Sequence, residues 1–270
     1  MVAAIAGGPA RGACRRSLTG IIAMHYRTIW MTAMLLALGL PGQGAVSMTD
    51  QEFKARVTEA TKGFRDLVFT ATVSYKNKKA LAKIDPAYAQ LYDFSSAQIS
   101  YKHPDKLRMD GKLGMVRFEY IVNGGLKLFR APSVRISKKE DYSDDPAKTQ
   151  DALDIGLVTP SLWKVRRIEI IDDAEAAAAG EVKLRLHWPK GNMALFAWVD
   201  ATDMFLKRFE KRDAENRLQV RVVYSEPRRF AGVIWLPTKV DICGPDGEKA
   251  GTSEVSDVKV NTSLPDSLFE

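Results

Sequence analysis

Few side chains of this chain are equipped for chemistry. Beyond residue 47 there are two histidines, His103 and His187, and one cysteine, Cys243. His103 precedes Pro104 in a turn signal and His187 adjoins Trp188 in a strand-like run; neither belongs to an H-E-x-x-H pattern, so each reads as structural and no metal centre is expected. Cys243 stands where a strand runs into Gly244-Pro245-Asp246-Gly247, with no partner cysteine and no neighbouring histidine, which describes an inert thiol better than a nucleophile. The carboxylate pairs Asp144-Asp145 and Asp172-Asp173 fall in expected loops, where solvated charge explains them. No nucleophile elbow, P-loop or dinucleotide glycine pattern occurs where a strand meets a helix. The residues point away from catalysis, and no cofactor is expected.

Binding depends on the elements that carry the remaining side chains. Thr49 or Asp50 can cap a helix in which Phe53, Val57, Ala60, Phe64 and Leu67 recur every three or four residues. From Val68 the period becomes two, with Phe69, Ala71, Val73 and Tyr75 alternating with polar residues. Leu81 to Phe94, broken by Pro86, reads as a short helix or turn-rich crossing. Strand-like runs follow at Ala97–Tyr101, Lys106–Met109, Met115–Val122 and Lys127–Phe129, with turns expected at 103–105, Asp110-Gly111 and 123–125. Ala131 to Trp163 is irregular: a charged loop leads into an apolar patch at Leu153, Ile155, Leu157, Val158, Leu162 and Trp163, read as a short helical cover for a sheet. Seven further strand-like runs occupy Lys164 to Val260, joined in part by turns at Asp213–Asn216 and Asp246-Gly247.

About ten strands with one-sided apolar faces predict a mainly β (α+β) fold. It would be a large curved antiparallel sheet whose apolar face must be covered by a few helices or by something else.

The chain has 270 residues, 46% hydrophobic and 27% charged, enough for one large β domain. Residues 1–47 hold four arginines, no acid and no lysine, then an apolar run from Ile29 to Leu40 that Pro41 and Gly42 close. That order is expected of a secretory signal starting at Met1 or Met24, leaving 48–270 as the working domain in the periplasm. The run is shorter than the roughly 20 residues a spanning helix needs. Removing it takes the formal charge from +7 to +3, because 36 of the 40 basic residues and all 33 acids lie beyond it. With no basic run interleaved with aromatics, nucleic acid is not an expected partner. No disulfide is available to residues 48–270, and no cysteine follows the apolar run to accept a lipid.

Four stretches, in order, resemble the outer-membrane lipoprotein carrier (LolA-like) superfamily. They are His103-Pro104-Asp105-Lys106-Leu107-Arg108-Met109, Trp198-Val199-Asp200 with Leu206-Lys207-Arg208-Phe209-Glu210, the Gly232–Val240 strand, and Val258–Asn261 with the tail Leu264–Phe269. The resemblance spans Thr49 to Glu270. It implies a half-barrel sheet with helices plugging its concave face, which shelters the acyl chains of a lipoprotein or lipid in transit towards the outer membrane. A monomer served by membrane-bound donor and acceptor proteins is implied. The alternative is an interaction or sensor module of the same fold that binds a protein partner, as in envelope-stress regulation. From strand alternation, the expected cavity lining is Phe53, Val57, Phe64, Phe118, Tyr120, Phe196, Trp198, Leu218, Val220, Val222, Ile234 and Leu236. Arg108 joins that set on the resemblance alone.

Overall fold

A computed structural model describes residues 48–85, 89, 92–145, 148–188 and 193–270. The expected signal at 1–47 lies outside the described residues.

Helix α1 (Asp50–Ala60) starts where the Thr49 hydroxyl accepts the Glu52 N–H at 3.1 Å. Phe53 and Val57, one turn apart, are its buried face. The apolar stripe continues in the sequence through Phe64 and Leu67, yet the helix stops at Ala60. Gly63 turns the chain at φ +81°, Phe64 stacks on Tyr101 with ring centroids 6.1 Å apart, and Leu67 lies in strand β1 (Asp66–Lys76). A second helix, α2 (Lys78–Ile84), is capped by the Asn77 side chain, which accepts the Ala80 N–H at 3.1 Å.

Then come β2 (Phe94–Lys102), β3 (Lys106–Leu113), β4 (Val116–Asn123), β5 (Leu126–Ala131) and β6 (Ile136–Asp141). After a long connection containing the short helix α3 (Leu162–Val165) follow β7 (Arg167–Ile171), helix α4 (Ala174–Ala178), β8 (Glu181–His187), β9 (Ala194–Asp200) and β10 (Leu206–Arg212). The chain closes with β11 (Leu218–Phe230), β12 (Ile234–Cys243) and β13 (Lys249–Val260). All thirteen strands form one antiparallel, curved, unclosed sheet in the order β6-β5-β4-β3-β2-β1-β13-β12-β11-β10-β9-β8-β7.

Two expectations about strands change. Asp110-Gly111 is not a turn: both residues lie inside β3, and Gly111 faces Phe118 so closely that a Cβ there would lie 2.7 Å from the ring. The hairpin falls at Gly114 instead, at φ +60°. Strand β6 occupies what reads as a charged loop, since Ser137, Lys138 and Lys139 are exposed and it is an edge strand, paired among the described residues with β5 alone. Edge strands carry charge because an apolar edge would recruit other chains.

The strand order has a topological consequence. Two meanders, β1 to β6 and β7 to β13, join centrally where β13 pairs with β1, with Ala71 opposite Val255. Strands β6 and β7 are therefore opposite edges of the sheet, and the chain between them must cross its full width. It does so over the inner face, which carries two apolar clusters. One lies under α1 and α2 on strands β8 to β12, the other on β1 to β4 and the start of β12.

Candidate functional site

The crossing segment is a plug over that inner face, and consecutive residues divide between the two clusters. Leu153, Val158 and Leu162 pack with Phe53, Leu184 and Val222, whereas Ala152, Ile155 and Leu157 pack with Ile99, Met109 and Leu236. All six are buried. The segment is too short in regular structure to stand alone: its core is one 3-10 turn, Ala152–Ile155.

Specific polar contacts hold this turn in place. The Asp151 carboxylate accepts the Leu153 N–H at 2.8 Å, and Asp154 returns the favour to the Asp151 N–H at 2.9 Å, a reciprocal capping box. Gly156 ends the turn at φ +83°, and a Cβ on it would lie 2.7 Å from Pro237 Cγ and 3.0 Å from Tyr224 Cδ1. Only glycine meets both the backbone and the space. Tyr224, on β11, donates from its hydroxyl to the Leu153 carbonyl at 3.2 Å. The buried Arg166 guanidinium pairs with Asp151 and lies 4.0 Å over the Trp188 ring. Tyr120 donates to Gln150, and Thr159 and Ser161 share a buried hydrogen bond of 2.7 Å.

Between plug and sheet lies a cavity of about 60 Å³. Its walls are Phe69 and Ala71 of β1, Ile99 of β2, Met109 of β3, Val240 and Ile242 of β12 and Val255 of β13, closed by Tyr92, Phe94 and Ile155. Two polar residues, Ser253 and Asp154, join this wall. Burial, reinforced by the neighbouring Asp151, pushes the Asp154 carboxyl up to about 6. Lys211, half-buried on β10, is pushed down by burial and up by the charge of Asp154. Cavities that admit one benzene ring are about 150 Å³, so this cavity is too small for an acyl chain.

No protein-family model matches the chain, and no curated protein matches it in sequence. Its shape is shared more widely. A putative outer membrane lipoprotein-sorting protein domain from Vibrio parahaemolyticus superposes with TM-score 0.57 at 12% identity, covering 82% of this chain and 94% of that one. A LolA superfamily protein from Nitrosomonas europaea gives 0.52 at 16% identity over 83% and 98%. The chain has the LolA-like fold. A DUF1329 family protein from Desulfovibrio piger shares it too, at TM-score 0.54 and 12% identity over 81% and 94%.

Within this LolA-like sheet the expected lining residues separate. Phe53, Val57, Val220 and Val222 meet in the cluster under α1, while Phe64, Phe118, Ile234 and Leu236 belong to the other cluster with Tyr120 packed against it. Leu218 is half-buried at the start of β11, beside a register shift against β10. None of these borders the small cavity.

Phe196 and Trp198 face the other way. In β9 the inward residues are Leu195, Ala197 and Val199, and Trp198 lies opposite Lys183 and Arg208 on the outer surface. Strand β9 is apolar on both faces, so alternation alone does not choose between them; pairing with β8 does. Arg108 is also outward: it forms a two-toothed pair with Asp110 at 2.7 and 2.8 Å and donates to the Leu268 carbonyl at 3.0 Å. That contact pins the C-terminal tail.

The residues that sequence reading missed are Asp151, Asp154, Gly156, Arg166 and Tyr224. A signal existed for the first three, since an Asp-x-x-Asp box ahead of glycine is a capping signature. Nothing in the sequence pairs Arg166 with Asp151 or Tyr224 with Leu153. Among the described residues, no three His, Cys, Asp or Glu side chains gather as a metal site requires, and no helix is long and apolar enough to cross a membrane.

Proposed function

We propose that the protein is a periplasmic carrier that takes acyl chains of a lipoprotein or lipid onto its inner face when the plug moves aside. It passes them, as a monomer and without covalent chemistry, between membrane-bound donor and acceptor proteins towards the outer membrane. The observation that carries this reading is the plug itself. The two apolar clusters of the inner face are bridged by a chain segment whose described regular structure is a 3-10 turn and the one-turn helix α3, held by a few polar contacts and by side chains divided between the clusters.

The energetics favour exchange. Leu153, Ile155, Leu157, Val158 and Leu162 would together forfeit about 10 kcal/mol on leaving the sheet, taking about 2 kcal/mol per buried side chain. A saturated chain of about 14 methylenes taking their place regains about 11 kcal/mol at about 0.8 kcal/mol each. Near balance is what a carrier needs, because cargo held too tightly is not released.

The closed interior favours a second reading, an interaction module that binds a protein partner and keeps its face filled with its own side chains. Native mass spectrometry of protein purified from a membrane-bearing host, with a fluorescent fatty-acid titration, separates the two. The carrier reading expects co-purifying lipid masses and saturable probe binding. Consistently ligand-free protein that ignores the probe would leave the interaction module.

A further inference from the structure

The outer face of the sheet is used in two different ways. Across β2 to β5 it is covered by the chain's own C-terminal tail, which carries Asp266 and Glu270 and closes in a 3-10 turn at Asp266–Phe269. Lys102 donates to the Leu264 carbonyl at 2.8 Å, and Asp266 bridges Lys102 and Lys106 at 2.7 and 3.0 Å. Arg108 and Arg130 take the carbonyl oxygens of Leu268 and Glu270 at 3.0 and 3.1 Å, and Phe269 is buried. Basic side chains projecting from neighbouring strands thus grip the tail while one aromatic ring anchors it.

The other half of this face, on β8 to β11, has the same chemistry, and no described segment of the chain lies over it as the tail does. Trp198 and Phe196 form an aromatic floor. The Arg208 guanidinium carbon lies 3.8 Å from the centre of the Trp198 ring, with Lys183 over both rings at 5.2 and 5.7 Å. A guanidinium held over an aromatic ring keeps its charge while losing side-chain freedom. The central carboxylate, Glu210, is already consumed: it is buried and accepts from Arg212 at 2.6 Å and Arg221 at 2.7 Å. Lys183 is held by Asp173 at 2.6 Å. Two cations remain. Arg208 comes no nearer to Glu210 than 4.0 Å and its Nε has no hydrogen-bond partner. Exposed Arg185 projects beside Phe196, opposite Glu169, which is itself engaged by His187 at 2.6 Å.

We propose that this half of the outer face is a docking surface for an acidic peptide segment of a partner protein, gripped by Arg185 and Arg208 over the Phe196–Trp198 floor as Lys102 and Lys106 grip Asp266 of the chain's own tail on the other half. Charge complementarity and the repeated mode of recognition select that occupant. The site lies on the opposite face from the plug, so docking there leaves the inner face accessible.

The test is to pan a random-peptide display library on the full protein and to measure the enriched peptides by titration at low and high salt. Enriched sequences are expected to be rich in Asp and Glu, to weaken with salt, and to bind at least about tenfold more weakly to Arg208→Gln and to Arg185→Glu. Arg208→Gln disturbs the packing over Trp198. Arg185→Glu alters only an exposed side chain, so an unchanged melting temperature there isolates the binding effect. The proposal is overturned if no acidic peptide is enriched, if enriched peptides bind both variants as well as the parent, or if phosphatidylglycerol vesicles bind through Arg185 while acidic peptides do not.

Discussion

The Tyr224 hydroxyl donates to the Leu153 carbonyl at 3.2 Å, in a buried setting that joins the sheet to the plug lying over it. The same carbonyl accepts the Gly156 N–H at 3.0 Å, so the sheet tyrosine is bonded at the point where the plug turns. Tyr224→Phe keeps the ring and removes the donor. It should cost about 1 kcal/mol of stability by urea denaturation, and it should quicken uptake of a fluorescent fatty acid in stopped-flow mixing, since the cover is less firmly tied.

Gly156→Ala tests the fit of the turn. The added methyl meets Pro237 and must sit at positive φ, so a loss of about 2–3 kcal/mol is expected. Proteolysis should then cut within 149–163 before it cuts the strands.

Arg166 is buried, pairs with Asp151 and stacks on Trp188. Arg166→Ala strands the Asp151 carboxylate and should cost about 3 kcal/mol. Arg166→Lys should recover only part of it, because an ammonium keeps the charge but not the planar stack. Equal melting temperatures for the parent and Arg166→Ala would contradict this account of how the plug is held.

Asp154 makes the plug sensitive to pH. Its folded-state pKa of about 6 lies above the ordinary carboxylate value of about 3.9. Between those values the folded chain keeps a proton that the unfolded chain has released, so the contribution is full below pH 4 and is lost as pH rises through 6. Stability at pH 4.5 should exceed that at pH 7 by about 2 kcal/mol on account of this group. Asp154→Asn, neutral throughout, should flatten that slope, as denaturation at a series of pH values would show.

Much of the fold was legible because alternation is a local signal. Val220, Val222, Ile234 and Leu236 advertise an inner face, and Phe53 with Val57 advertises a covering helix. Other features were not legible, each for a physical reason. Strand β6 is an exposed edge and carries loop-like charge. The facing of Phe196 and Trp198 is set by register against Lys183 and Arg208 on the flanking strands β8 and β10. The ends of α1 and β3 depend on backbone geometry at Gly63 and on the space left by Phe118 opposite Gly111. The apolar patch from Leu153 to Trp163 was visible as a cover, but its contacts with Tyr224 and Arg166 are long-range and leave no mark in the sequence.

Displacement of the plug by cargo is read by hydrogen exchange with and without a saturating fatty acid. Fatty acid is expected to lower amide protection across 149–166 while the inner strands β1, β2, β12 and β13 keep theirs, because cargo displaces the segment and takes over its contacts. Unchanged protection across 149–166 in the presence of excess fatty acid would contradict it.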